Sequence, residues 1–449
     1  MKQSPPITDE LIKFDFPTYQ EYKLTNGLSL ILLRSKKLPK IYLRMGFDFG
    51  IKNDPSGCEG TAELLAEVLK KGTFKKSYEE IVEQIDFVGG ILNCSSTHDF
   101  FYIHGEFLSE FFEIGLELIC DIVREPAFHP HEIEKERTNL LIDIENEKSS
   151  PSWLAQRRLN RVLFHPHPYS KIKNKESLKR IGRDTVTKMH SEYFSPGSAI
   201  LVIAGDIKEE DAILNVEKYF EDWKTKQKIA SQFSPPQEHH QRKVYLIDRP
   251  GSEQSNILIG DHLFKRAAAE YETFQVMNKI LGGGASSRLF MNLREKKGYT
   301  YGAYSTTSCL KDTGIWQATA EVRTNVTDHS VEIFLKEFEK MGSEFVTGDE
   351  LKNAKRYLIG TFPLKNETPI SFASLVQMEK MLQLPSDYWE TYLQNIDRVS
   401  KGNVKQIAVQ YLKPAEISIV VVGDSKIVKD NLKKFGEVEI YDLDENRIG

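Results

Sequence analysis

The sequence predicts an α+β chain of two homologous repeats, each a mostly antiparallel sheet with helices packed on one face. Three observations carry this. At 449 residues the chain exceeds what one hydrophobic core usually serves. Six anchor residues recur at a constant offset of 218 positions. Strands come in groups rather than alternating strictly with helices, the pattern of α+β rather than of a parallel sheet.

The repeat runs as follows. Arg180, Val186, Tyr193, Pro196, Gly205 and Asp206 are matched by Arg398, Val404, Tyr411, Pro414, Gly423 and Asp424. In each unit a helix ends near the Tyr, because the residue before a proline disfavours helical geometry. A short β-branched strand follows (199–204 and 417–422), and Gly-Asp turns the chain out of it. Between the units lies a polar, proline-containing stretch that includes Ser234-Pro235-Pro236 and His239-His240. The predicted division is an N-terminal repeat over 1–223, a linker over 224–242 and a C-terminal repeat over 243–449.

Within the repeats, Asn26-Gly27 between two apolar runs predicts a hairpin turn. Residues 40–49 alternate as a strand, and 60–71 have helical periodicity through Ala62, Leu65, Ala66 and Leu69. Residues 110–124 and 329–341 read as amphipathic helices.

Composition excludes several classes. The chain is 40% hydrophobic and 28% charged, with a formal charge of -5, and no dense basic block argues for nucleic acid. The longest apolar runs are strand-sized, so no membrane span is expected. The N-terminus (Met1-Lys2-Gln3-Ser4-Pro5-Pro6) has no apolar signal core, so the chain as written is expected to be cytoplasmic, or periplasmic if a signal peptide has been removed. Cys58, Cys94, Cys120 and Cys309 lack CxxC spacing and are expected to be inert thiols. None of the 11 His residues are spaced i, i+4; His129-Pro-His131 and His165-Pro-His167 read as loop histidines.

Residues 57–73 read Gly-Cys-Glu-Gly-Thr-Ala-Glu63-Leu-Leu-Ala66-Glu67-Val-Leu-Lys-Lys-Gly72-Thr73. This resembles the first helix of the insulinase/pitrilysin family, which includes mitochondrial processing peptidases. There an inverted zinc motif, His-x-x-Glu-His, precedes Gly-Thr. Aligned on Gly72-Thr73, Glu63 and Glu67 stand at the two His positions and Ala66 at the general base. The family's third ligand falls near Ile142-Asp143. Catalytic zinc sites generally combine imidazole with a carboxylate and an open position for water. Carboxylates alone suit harder cations, and Ala66 has no atom that can take a proton. The resemblance therefore implies no metal or other cofactor in this chain.

The second half keeps its motif. Leu281-Gly282-Gly283-Gly284-Ala285-Ser286-Ser287-Arg288 leads to Asn292-Leu-Arg294-Glu-Lys-Lys-Gly298-Tyr299-Thr-Tyr301-Gly302. It is similar to the family's C-terminal domain. Gly282, Gly283 and Gly284 match neither GxGxxG nor a P-loop, and are expected to end a helix and permit a left-handed turn. In the family an Arg and a Tyr seven positions apart reach the bound peptide opposite the zinc, and Arg294 and Tyr301 keep that spacing. A guanidinium can grip a peptide carbonyl irrespective of side chain, and a phenol can donate to the oxyanion formed as water attacks. The resemblance thus implies the non-zinc-binding subunit of a heterodimeric peptidase. Zinc would come from a homologous partner chain bearing His-x-x-Glu-His, and the substrate would be an extended peptide. The alternatives are a catalytically inactive structural or assembly subunit, and a homodimeric peptide-binding protein.

Overall fold

The computed structural model describes residues 14–226, 232–238 and 240–449. His239 and the other residues of 224–242 outside these ranges are not described; the described part of that stretch forms no helix or strand.

The first six strands are β1 (Gln20–Lys23), β2 (Ser29–Arg34), β3 (Lys40–Phe47), β4 (Ile91–Ser96), β5 (Phe101–Leu108) and β6 (Ala199–Gly205). They form one sheet in the order β1-β2-β6-β3-β5-β4, antiparallel except for β2 beside β6. The Asn26-Gly27 turn joins β1 to β2, with Lys23 opposite Ser29, and Gly27 takes the positive φ such a turn requires. The second sheet holds β7 (Lys243–Asp248), β8 (Gln254–Leu263), β9 (Thr300–Cys309), β10 (Gly314–Arg323), β11 (Ser418–Gly423) and β12 (Glu437–Tyr441). Its order is β12-β7-β11-β8-β10-β9, with β7 parallel to both β11 and β12. Strand β9, which carries Tyr301, is an edge strand.

One face of each sheet follows from alternation. Leu43, Met45 and Phe47 of β3 point with Ile103 and Phe107 of β5 into a core closed by helices Thr61–Val68 and Phe112–Arg124. In the second sheet Ile257, Ile259, Trp316 and Ala318 meet Phe334 and Phe338 of helix Thr327–Ser343 and Phe274 of helix Tyr271–Gly282. The Arg183–Tyr193 and Lys401–Tyr411 helices end at the two repeat tyrosines, at the offset of 218 seen in the sequence.

The opposite face of each sheet is covered from the other half, which one-sided helix packing does not anticipate. Helix Pro151–Phe164 lays Leu154, Leu159 and Leu163 against Ile247, Leu258, Val420 and Val422 of the second sheet. Helix Pro369–Met381 lays Ala373 and Val376 against Ile31, Leu33, Val202 and Ala204 of the first. Each exchanged helix starts with a hydroxyl cap and a proline, Ser150-Pro151 and Thr368-Pro369, again 218 apart. Polar pairs fix both crossings: Gln156 with Gln317 at 2.6 and 2.9 Å, and Gln377 donating to the Arg44 and Ile200 carbonyls at 3.1 Å each. Fully burying such leucines is worth about 1.5–3 kcal/mol each, so the exchange binds the halves to one another.

A buried ionic cluster makes a third junction. The Lys52 ammonium donates to Asp99 at 2.7 Å and to Asp312 at 2.9 Å. The Tyr169 hydroxyl donates to Asp99, and the Lys311 amide donates to the same carboxylate at 2.8 Å. Lys311 and Asp312 form the turn between β9 and β10, so the far end of the Tyr301 strand is tied to the first half. His167 lies in this cluster, a loop residue that is only 2% exposed, its Nε2 3.6 Å from Asp312. Among the described residues no helix is long and apolar enough to cross a membrane. All four cysteines are unpaired, and burial pushes the Cys94 thiol up to about 12 and Cys120 to about 11.

Candidate functional site

Helix Thr61–Val68 carries Glu63, Ala66 and Glu67. Its start is held by Asp54, whose carboxylate accepts from the Gly60 and Ala62 amides at 2.7 and 2.8 Å. Burial outweighs those bonds and pushes the Asp54 carboxyl up to about 7. Glu63 and Glu67 are half-buried one turn apart, and Ala66 is 3% exposed, its methyl in the core. Glu63 is engaged by the Lys173 ammonium at 3.1 Å, and Glu67 is 3.8 Å from Lys70.

Asp143 lies on helix Pro130–Glu147 and is exposed. The acid that reaches the space beside Glu63 is Glu147, one turn further on. It shares with Glu63, His98, Lys171 and Lys173 the wall of a cavity of about 220 Å³. The sequence pattern points to Asp143 rather than Glu147, whose local signal is its i, i+4 step from Asp143 on the same helix. Burial raises the Glu147 carboxyl above the usual range; Lys173 opposes this, while Glu63 and Asp143 add to it. Among the described residues no group of three His, Cys, Asp or Glu side chains converges as a metal site. The donor set does not fit catalytic zinc: a lysine supplies the positive charge beside Glu63, and the base position is a buried methyl.

Lys173→Met is therefore expected to act through pH. A carboxyl whose folded pKa is raised favours the folded state at low pH and loses that contribution as pH rises through the folded value. Removing the cation raises Glu147 further. The variant should lose about 1 kcal/mol at pH 8 and markedly less at pH 4, read as urea midpoints at the two pH values. Equal losses at both would exclude an electrostatic role.

In the second half, helix Tyr271–Gly282 ends at the glycine run. None of Gly282, Gly283 or Gly284 has positive φ, so the expected left-handed turn is not formed. Close approach is the reason for glycine: a Cβ at Gly282 would lie 2.4 Å from the Ser305 amide nitrogen on β9. Asn278 and Ser305 then bond across the contact at 2.6 and 3.1 Å. The helix end thus props the strand that bears Tyr301.

Arg294 sits on Met291–Lys296, a segment of π-helix, a geometry found mostly as short insertions and frequently at functional sites. Its guanidinium lies 4.7 Å from the Phe290 ring centroid and 3.6 Å from Glu295. Tyr301 sits at a β-bulge. Thr300 pairs with Val322 and Ala303 with Ala320, so Tyr301 and Gly302 together oppose Glu321. Without the bulge, Tyr301 would share the buried face of Ala303 and Ser305; the extra residue turns it outward. It is 88% exposed, and its hydroxyl has no hydrogen-bond partner among the described residues. Among the described residues no hydrogen bond or ion pair joins Arg294 or Tyr301 to Glu63, Glu67 or Asp143; the two groups lie in different halves.

Two family descriptions match this chain: "Insulinase (Peptidase family M16)" over residues 30–173 and "Peptidase M16 inactive domain" over residues 180–358. The chain belongs to the insulinase (M16) family. Among relatives, the uncharacterized zinc protease YmxG of Bacillus subtilis is 24% identical over 87% of this chain and 95% of its own length. The non-peptidase homolog YmxG of Helicobacter pylori is 22% identical over 91% of this chain and 94% of its own. The fold matches a solved M16 inactive domain from Pseudomonas fluorescens with a TM-score of 0.84 and 22% identity, covering 90% of this chain and 98% of that one. As an M16 chain with two six-stranded sheets, it carries Glu63, Ala66 and Glu67 in the first matched segment and Arg294 and Tyr301 in the second.

Proposed function

We propose that this chain is the non-metal-binding subunit of a two-chain zinc metallopeptidase. In this reading units 1–223 and 243–449, joined by 224–242, form half of an enclosing assembly. A homologous partner bearing His-x-x-Glu-His supplies the zinc and the general base. Arg294 holds a carbonyl of the extended peptide, and the Tyr301 hydroxyl donates to the oxyanion that develops on the attacked carbon. The observation that carries the reading is the bulge that turns Tyr301 into solvent while its hydroxyl stays uncommitted. The unpaired outer edge of β9 can accept an extended peptide by strand addition.

The test is to purify the chain alone and with such a partner. Alone it should hold no stoichiometric zinc and cut no peptide; together, cleavage should appear and vanish with chelator. Chelator-sensitive cleavage by the chain alone overturns the reading. The name of the Helicobacter pylori relative, a non-peptidase homolog, favours a second reading, an assembly subunit with no catalytic part. Cleavage by the pair that is indifferent to Arg294 and Tyr301 would support it.

A further inference from the structure

The cavity of about 220 Å³ beside Glu63 holds two charges that the fold matches only in part. The first is negative. Neither oxygen of Glu147 has a hydrogen-bond partner among the described residues, and Oε2 is buried. Lys173 is already paired with Glu63 at 3.1 Å, and Lys171 donates to the Asp54 carbonyl. The second charge is positive. Arg157 is 8% exposed; its Nε lies 2.9 Å from Glu445, and its terminal nitrogens have no partner among the described residues. Glu445 is also 3.1 Å from Arg161, so one carboxylate serves two guanidinium groups. Glu147 and Arg157 feel one another's charge but form no ion pair. Buried charges without a full complement are costly. Water can hydrogen-bond such groups but neutralises neither.

We infer that this cavity binds a free α-amino acid with an apolar side chain, its ammonium at Glu147 and Glu63 and its carboxylate on the terminal nitrogens of Arg157. The inference does not depend on the two-chain reading given above. A guanidinium can meet both oxygens of a carboxylate at once. An ammonium brings three donors, enough for Glu147 and the free oxygen of Glu63. The indole of Trp153 with Ile51 and Ile172 gives the side chain an apolar wall. Charge excludes the simpler ligands: a plain anion would face Glu147, and a polyamine would face Arg157. Size excludes longer peptides, because the cavity is smaller than the roughly 300–1,000 Å³ of sites for drug-sized ligands.

The experiment is calorimetric titration of the full chain alone, with chelator present throughout so that no metal takes part. The probes are L-leucine, its amine fragment isoamylamine and its acid fragment isocaproate. Leucine should bind with a Kd below about 1 mM, and each fragment about tenfold or more weaker, the worth of one charge-assisted contact. Glu147→Gln should weaken leucine about tenfold yet leave isocaproate unchanged or tighter, because only a repelling charge is gone. Its thermal midpoint without ligand should not fall, since the Glu147 side chain accepts no hydrogen bond in the fold. Arg157→Lys keeps the charge toward Glu445 and loses the fork; it should weaken leucine and isocaproate alike and spare isoamylamine. Should Arg157→Lys unfold, the Glu147→Gln comparison decides by itself. Leucine binding that resists both substitutions, or fragments that match leucine, overturns the inference. So does the absence of binding by leucine, alanine and methionine at concentrations about tenfold above that limit.

Discussion

Tyr301→Phe is expected to lower kcat of the reconstituted peptidase about 10²–10³-fold with little change in KM. The reason is the timing of charge. The ground-state carbonyl needs little from a phenol at the far side of the site, whereas the oxyanion formed on water attack gains a hydrogen bond at full charge. An interaction made only in the transition state appears in kcat. The substitution removes one oxygen from a side chain that is 88% exposed and whose hydroxyl has no hydrogen-bond partner among the described residues, so the fold has no reason to respond. Arg294→Ala should behave differently, raising KM more than it lowers kcat, because a guanidinium on a peptide carbonyl is in place before the reaction starts. The measurement is steady-state kinetics on one fluorogenic peptide, with urea midpoints to confirm unchanged stability. A Tyr301→Phe enzyme within twofold of the parent in kcat removes the oxyanion role.

Lys52→Met is expected to cost about 3–5 kcal/mol of stability, as for other buried ion pairs that lose one partner. Lys52 is 6% exposed and is the cation shared by Asp99 and Asp312. Its loss leaves two carboxylates facing each other at the junction of the halves. Neutralising them as well, in Lys52→Met with Asp99→Asn and Asp312→Asn, should recover part of the loss, which a purely steric defect would not allow.

The same cluster predicts the pH window. Burial alone would raise the Asp312 carboxyl, but the His167 and Lys52 contacts win and hold it far below the usual range. Its contribution is present above the unfolded carboxylate value near ~4 and is lost as pH falls toward the folded value. Burial alone would lower the Lys52 ammonium, yet Asp99 and Asp312 keep it raised. Its contribution is present below the unfolded lysine value near ~10 and is lost as pH rises through the folded one. Thermal midpoints of parent and variant should differ most between these limits and converge in acid. A difference that persists unchanged below pH 3 would show that packing, not charge, is responsible.

Much of the fold was legible in the sequence because its signals are local. Proline position ended the Arg183–Tyr193 and Lys401–Tyr411 helices, Asn26-Gly27 made the first hairpin, and alternation marked β3. Other features depend on residues far apart in the chain. Nothing near Ser150-Pro151 announces that the helix beginning there covers the opposite sheet, since its apolar stripe would suit either. The glycine run predicts a turn because its sequence neighbours are turn-like, whereas the partner it packs on, Ser305, lies more than twenty positions away. His167 does lie in a loop, and only its burial against Asp312, a residue far away in the chain, is invisible from its sequence neighbours.

The sequence by itself determined the family resemblance, the two-fold repeat and the presence of Glu, Ala and Glu at 63, 66 and 67, because residue identity and spacing suffice for each. Only the tertiary structure decided that Lys173 and Glu147, not Asp143, stand beside Glu63, and that a bulge turns Tyr301 outward. Those facts depend on register and on contacts between segments distant in the chain, and no local pattern of residues encodes which face a bulged side chain will take.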